Sequence, residues 1–184
     1  MSIRPRRRAG PALAICAALA LPLAALGGAQ GNPPDAQAFV EKNVGLTSKP
    51  LGIEQLRARI GATSGKAREV PNAHVPGQVD QVIVLSGPGV EVEAYAPAGG
   101  GPVLVRRITV TGIGKKLRLP AGLVVGKSRI DDVYAAIGED AETTTGPGGA
   151  FARRFFTMER NASALLWFDR KERLAGVEWR FEGD

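Results

Sequence analysis

Residues Gly126–Gly138 read GKSRIDDVYAAIG, and the fold is decided by how this stretch is read. Ser128 offers a hydroxyl to the free N–H groups of a first helical turn. Asp131 follows three residues later, and with Asp132 it places negative charge at the positive end of a helix dipole. Ile130, Val133, Tyr134 and Ile137 fall at i, i+3, i+4 and i+7, one apolar stripe. Gly138 then ends the helix in a left-handed conformation. The two aspartates read as a charged first turn, not as a catalytic pair.

A weaker copy lies upstream. In Gly52–Gly61, GIEQLRARIG, the positions Ile53, Leu56, Ile60 and Gly61 match Ile130, Val133, Ile137 and Gly138, each displaced by 77 residues. Three runs with strand character follow the first copy: Asp80–Ser86, Val90–Ala96 and Val103–Thr111. Gly87-Pro88-Gly89 and Gly99–Pro102 supply the turns between them. Three more follow the second copy: Ala152–Glu159, Ala164–Asp169 and Leu174–Phe181. The passage from Ala62 to Gln78 and the stretch Thr143–Gly149 read as loops. The pattern predicts an α+β fold of two similar units, each a short helical segment packed on an antiparallel β-meander. Unit 1 would span 49–112 and unit 2 would span 113–184. Ahead of them, 30–48 reads as a polar leader and a short helix, opened by Asn32-Pro33 and closed by Asn43 and Gly45, with Phe39 and Val40 as its apolar contacts. Helices would cover one sheet face and leave the other open.

The first 29 residues read differently. Arg4, Arg6, Arg7 and Arg8 precede an uncharged Ala/Leu-rich run, and Gly27 and Ala29 are small. This is the pattern of a signal peptide, 1–29, cleaved after Ala29, and it predicts a periplasmic or secreted protein. An uncleaved anchor is the alternative, since about 20 apolar residues span a bilayer. The only cysteine, Cys16, lies inside this segment, and Ile15 before it is too large for a lipoprotein cleavage site. Removing the segment takes away four arginines, so Lys plus Arg falls from 24 to 20 against 18 Asp plus Glu, and net charge falls from +6 to +2. A nucleic-acid partner therefore cannot be argued from the basic whole-chain balance.

The Ser-capped helix ending in Gly, followed by a meander that closes on an Asp-containing turn and Val177-Glu178-Trp179, resembles the SmpA/OmlA outer-membrane assembly lipoproteins. The tandem spacing resembles the beta-lactamase inhibitory proteins. The resemblance covers most of 32–182 in plan, and Gly126–Gly138 and Leu165–Phe181 in motif. It implies an envelope-assembly accessory or a hydrolase inhibitor. No contact residue carries over from either family.

Candidate chemistry is sparse. His74 is the only histidine, and a chain with one Cys and one His cannot build the usual zinc sets, so no metal or cofactor is expected. Glu91 and Glu93 share one strand face about 7 Å apart, within reach of a two-carboxylate hydrolase arrangement. Gly112–Lys116 lacks the spacing of a phosphate loop. Asn161-Ala162-Ser163 fits a glycosylation sequon. Between Glu93 and Asp131 there is no acidic residue, while Arg106, Arg107, Lys115, Lys116, Arg118, Lys127 and Arg129 are basic. That block is a candidate for weak contact with an anionic envelope surface.

Eight of the ten aromatics lie from Tyr134 onward. Alternation puts Val177, Trp179 and Phe181 against the helix, with Phe156, Met158, Leu166 and Phe168. Phe155 and Trp167 would then face outward beside Arg153 and Arg180, the composition of a protein-binding face. The alternative reading turns Leu165 and Trp167 inward and leaves no patch. Together these readings predict an exported, non-enzymatic protein-binding module of the bacterial envelope, with Arg153, Phe155, Trp167 and Arg180 at its surface. The rival is a small exported hydrolase using Glu91, Glu93 or His74.

Overall fold

A computed structural model describes residues 35–72, 75–112 and 117–182. The segment 1–29 read as a signal peptide, His74, Lys115 and Lys116 lie outside the described residues. The order of elements is α1 (Ala36–Lys42), α2 (Ile53–Ile60), β1 (Ser64–Pro71), β2 (Val79–Gly87), β3 (Val90–Ala96), β4 (Leu104–Val110), α3 (Ile130–Ile137), β5 (Glu142–Thr145), β6 (Phe151–Phe156), β7 (Ala162–Phe168) and β8 (Leu174–Phe181). The eight strands form one antiparallel sheet in the order β1-β2-β3-β4-β8-β7-β6-β5. Two four-stranded meanders thus meet at their last strands, where Arg107–Val110 pairs with Val177–Arg180.

Both longer helices start by the same device. The Gly52 N–H donates to Gln55 Oε1 at 3.0 Å, and the Arg129 N–H donates to Asp132 Oδ2 at 2.7 Å. In each case a side chain three residues on satisfies an N-terminal donor that the helix itself leaves free. Asp132 therefore takes the part expected of Asp131. The Ser128 hydroxyl accepts from the Val124 N–H at 3.0 Å and closes the preceding turn instead. Gly61 ends α2 in the left-handed region, whereas Gly138 combines φ 88° with an extended ψ of 175°. The second stop still needs glycine for its positive φ, but it is not the expected left-handed cap. Asp35 caps α1 by accepting from the Ala38 N–H at 3.0 Å, while Asn32 and Pro33 lie outside the described residues.

One face of the sheet buries the core. Phe39 and Val40 of α1, Leu56 and Ile60 of α2, and Val133 and Ile137 of α3 share a single apolar cluster. Leu85, Val92, Ile108, Leu166, Val177 and Trp179 of the strands complete it. α1 is a full part of this core: Phe39 stacks on Trp179 at 5.6 Å between ring centroids, and the Trp179 indole N–H donates to the Phe39 carbonyl at 3.4 Å. Among the described residues, the apolar contacts of all three helices fall on this face.

The two outermost strands, β1 and β5, lie in passages expected to be loops. β1 is exposed along nearly its whole length and carries Lys66, Arg68, Glu69 and Pro71. Charges and proline on an edge discourage pairing with another chain.

Candidate functional site

The expected aromatic patch does not form. Phe155 is fully buried in the main core, on the helix side. Its register runs Phe155–Ala164–Trp179 across three strands, and the small Ala164 leaves room for both rings. β6 ends at Phe156, so counting alternation on to Glu159 crosses a turn. Met158 stands in that turn, 89% exposed rather than inward. Phe156 is half-buried, with the Arg160 guanidinium 4.8 Å from its ring centroid.

Arg153 also lies on the helix side. It sits 5.4 Å from the Tyr134 ring and donates to Thr143 Oγ1 at 2.6 Å and to the Glu139 carbonyl at 2.9 Å, tying β5 and β6 to the end of α3. Trp167 does project from the opposite face, with Leu165 and Ala152, but it is only 6% exposed. Its indole lies flat on Gly176, its direct cross-strand partner, where any Cβ would stand 2.2 Å from Cζ2. Gly146 closes over its Cβ in the same way. Arg180 shares the outer face and is held by Glu178 at 2.7 Å. The four residues are thus divided between two faces, and their one large outward aromatic is covered.

The basic block is also compensated in part. Arg107 lies 2.9 Å from Glu93 and 3.6 Å from Glu91, so the two carboxylates share one guanidinium on the outer face. They do not oppose one another across a cleft. Arg129 pairs with Glu172 at 3.0 Å, and Arg118 is exposed. Arg106 rests over the Tyr95 ring at 5.2 Å.

A different region carries a cavity. Where β1 to β4 reach the end of the sheet, a cleft of about 760 Å³ opens. Val82, Tyr95, Leu46, Pro50, Leu104 and Pro97 are among the residues that line it. Its size falls in the usual range of ligand pockets, roughly 300–1,000 Å³. Leu104 is 58% exposed, and Val79 nearby on β2 is 48% exposed.

The cleft is braced by Asp80, a buried carboxylate that reading the strands missed. It accepts from the Tyr95 hydroxyl, from Asn72 Nδ2 at 2.6 Å, from Gln78 Nε2 at 3.0 Å and from the Ala98 N–H at 2.8 Å. Four donors around one ion stabilise it and fasten the β1–β2 and β3–β4 connections to the strand floor. The Tyr95 hydroxyl and then Gln78 do most to hold the Asp80 carboxyl at about 2, against the opposing effect of burial. The same hydrogen bond, aided by burial, pushes the Tyr95 phenol up from its ordinary value. The single Asp near the start of a strand whose middle, Val82–Leu85, is apolar, with amide side chains at 72 and 78, was the available sign.

Fold and site together define an α+β protein with helices on one sheet face and an apolar, basic-rimmed cleft at one sheet end. No family model and no curated protein matches the chain. Among solved structures, a cysteine-rich secretory protein from Staphylococcus aureus subsp. aureus Mu50 is similar at 11% identity with a TM-score of 0.43. The match covers 82% of this chain and 47% of that protein, so the chain spans about half the length of that protein.

Proposed function

We propose that the chain is an exported, non-enzymatic protein-binding module of the bacterial envelope, working through the cleft end of its sheet. The observation that carries this reading is the concave apolar surface around Tyr95 and Leu104, rimmed by Lys49, Arg68 and Arg106. Exposed apolar groups interleaved with Tyr and Arg are the composition of interface centres. Export rests on the arginines and the uncharged run that open the sequence. Glu91 and Glu93, bound to one arginine on an open face, favour binding over hydrolysis. Hydrolase inhibitor and envelope-assembly accessory are the two concrete forms, following the resemblance to the beta-lactamase inhibitory and SmpA/OmlA proteins.

The two meanders, each preceded by a helix, are in this reading copies of one unit. The 77-residue offset of α2 and α3, their shared starting device and the positive φ of Gly61 and Gly138 support it. Ile60→Ala and Ile137→Ala should then each cost about 2–5 kcal/mol in denaturant unfolding. Losses below about 0.5 kcal/mol at both positions would refute a shared core.

The binding reading is tested with a photo-reactive amino acid placed singly at Leu104 or at Phe151, which is 47% exposed at the other end of the sheet. Irradiation in envelope extract from the native host should yield a discrete protein adduct from position 104 only. No adduct there, or one from 151 alone, contradicts the reading.

A further inference from the structure

The sheet is interrupted at its centre. β4 pairs with β3 from Leu104 onward, yet with β8 only from Arg107 to Val110. Just upstream, Leu51 bridges Val103, whose N–H donates to the Leu51 carbonyl at 2.8 Å. Between those two contacts, Leu104 and Val105 have ladder partners on the β3 side alone among the described residues. Arg106 is the extra residue where the register shifts between Glu93 and Ala94, and has no ladder partner on either side. A bulge of this kind re-aims a side chain, and here it lays Arg106 on Tyr95. The free stretch spans about 10 Å at the ordinary rise of a strand.

The cleft opens on this free edge. Leu46, Thr47, Lys49 and Pro50, which precede the Leu51 bridge, line it together with Phe181 at the end of β8. Lys49, Arg68 and Arg106 line it, and none of them forms an ion pair among the described residues. Glu182 is the one carboxylate in the lining. Strand positions with no second ladder partner among the described residues, an apolar lining and three basic side chains against the single carboxylate of Glu182 therefore coincide in one slot.

We propose that the protein partner supplies an extended acidic segment that adds to the free edge of β4 as a short strand. Its main chain pairs with Val105, whose N–H and C=O point away from β3 because those of Val103 face Leu51 and those of Leu104 face β3; its carboxylates face Lys49, Arg68 and Arg106, and an apolar side chain lies beside Leu104. Strand addition draws affinity from main-chain hydrogen bonds and specificity from alternate side chains. The free edge favours a peptide over a lipid chain, which has no groups to pair with it. This inference rests on the protein-binding reading and names the form of the partner.

The probe is a capped octapeptide of alternating Glu and Leu, titrated into the full chain by fluorescence anisotropy. Three comparison probes are a Lys/Leu octapeptide, the Glu/Leu peptide N-methylated at alternate residues, and dodecanoate below its micelle concentration. The Glu/Leu peptide should bind saturably and more weakly as salt rises. The Lys/Leu and N-methylated peptides should bind at least about tenfold more weakly. Arg106→Glu should weaken the Glu/Leu peptide by about tenfold without lowering the melting temperature, and Arg68→Glu on exposed β1 serves if that variant does not fold. Absence of Glu/Leu binding, equal binding of the N-methylated peptide, or dodecanoate binding in place of the peptide overturns the inference. Cross-linking from position 104 with no peptide binding removes the strand-addition inference alone; failure of both removes the protein-binding reading as well.

Discussion

At one end of the outer sheet face, the indole of Trp167 lies flat over Gly176 and is 6% exposed; at the other, Leu104 stands 58% exposed above a cleft. The larger apolar group is hidden and the smaller one is in water. The difference comes from the backbone partner each has. Trp167 faces a glycine directly across the ladder, whose missing side chain gives the ring a flat surface to cover. Leu104 sits where β4 has no ladder partner on the β8 side among the described residues, and it stands 58% exposed. An aromatic residue on an outward sheet position is therefore no sign of an interface until its cross-strand partners are known. Exposed apolar area beside an interrupted ladder is a stronger one.

The comparison is broken most severely by Trp167→Ala. If the indole is a structural cover, its loss should cost about 3–5 kcal/mol in denaturant unfolding. An unchanged midpoint would mean that the ring is free for a partner. Gly176→Ala should cost less, about 1–3 kcal/mol, because the added methyl would displace the indole. Tryptophan fluorescence should move to longer wavelength in this variant as the ring enters water. A silent substitution would show that the ring does not rest on Gly176.

At the cleft end, Asp80 gives a pH-dependent effect. Its folded pKa of about 2 lies below the ordinary 3.8, so the ionised form is the one that folding favours. Its contribution to stability is present in full above 3.8 and is lost as pH falls through about 2. Asp80→Asn should lower the melting temperature at neutral pH and flatten the wild-type loss of stability between those two values. Parallel acid profiles for the two proteins would contradict the bracing role. Leu104→Ser should have the smallest effect on folding, within about 0.5 kcal/mol, while weakening partner capture. A large loss of stability would place Leu104 in the core and remove it from the interface.

The helices were legible because a 3.6-residue apolar stripe closed by glycine admits few other readings, and Ile130–Ile137 and Ile53–Ile60 both have it. The edge strands were not. β1 buries neither face and so carries no alternation, and β5 is four residues, three of them threonine. Adjacent Phe155 and Phe156 left the register of β6 open, and it was settled by Ala164, a residue on another strand. Phe39 and Val40 were read correctly as buried, but stacking of Phe39 on Trp179 joins positions 140 residues apart and has no local signal. The cleft has none either, since it arises where β8 ends opposite the middle of β4. Of the residues first expected at the binding surface, only Trp167 and Arg180 lie on the outer face. Arg106, expected in a basic patch, lines the cleft.

Hydroxyl-radical footprinting of the protein, free and with envelope extract, followed by mass spectrometry of each residue, tests the contrast between the two ends most directly. Tyr95 and Leu104 should oxidise in the free protein and become protected with the partner, while Trp167 stays slow to oxidise in both states. Rapid oxidation of Trp167 in the free protein, with partner-dependent protection there and none at Leu104, would contradict the account.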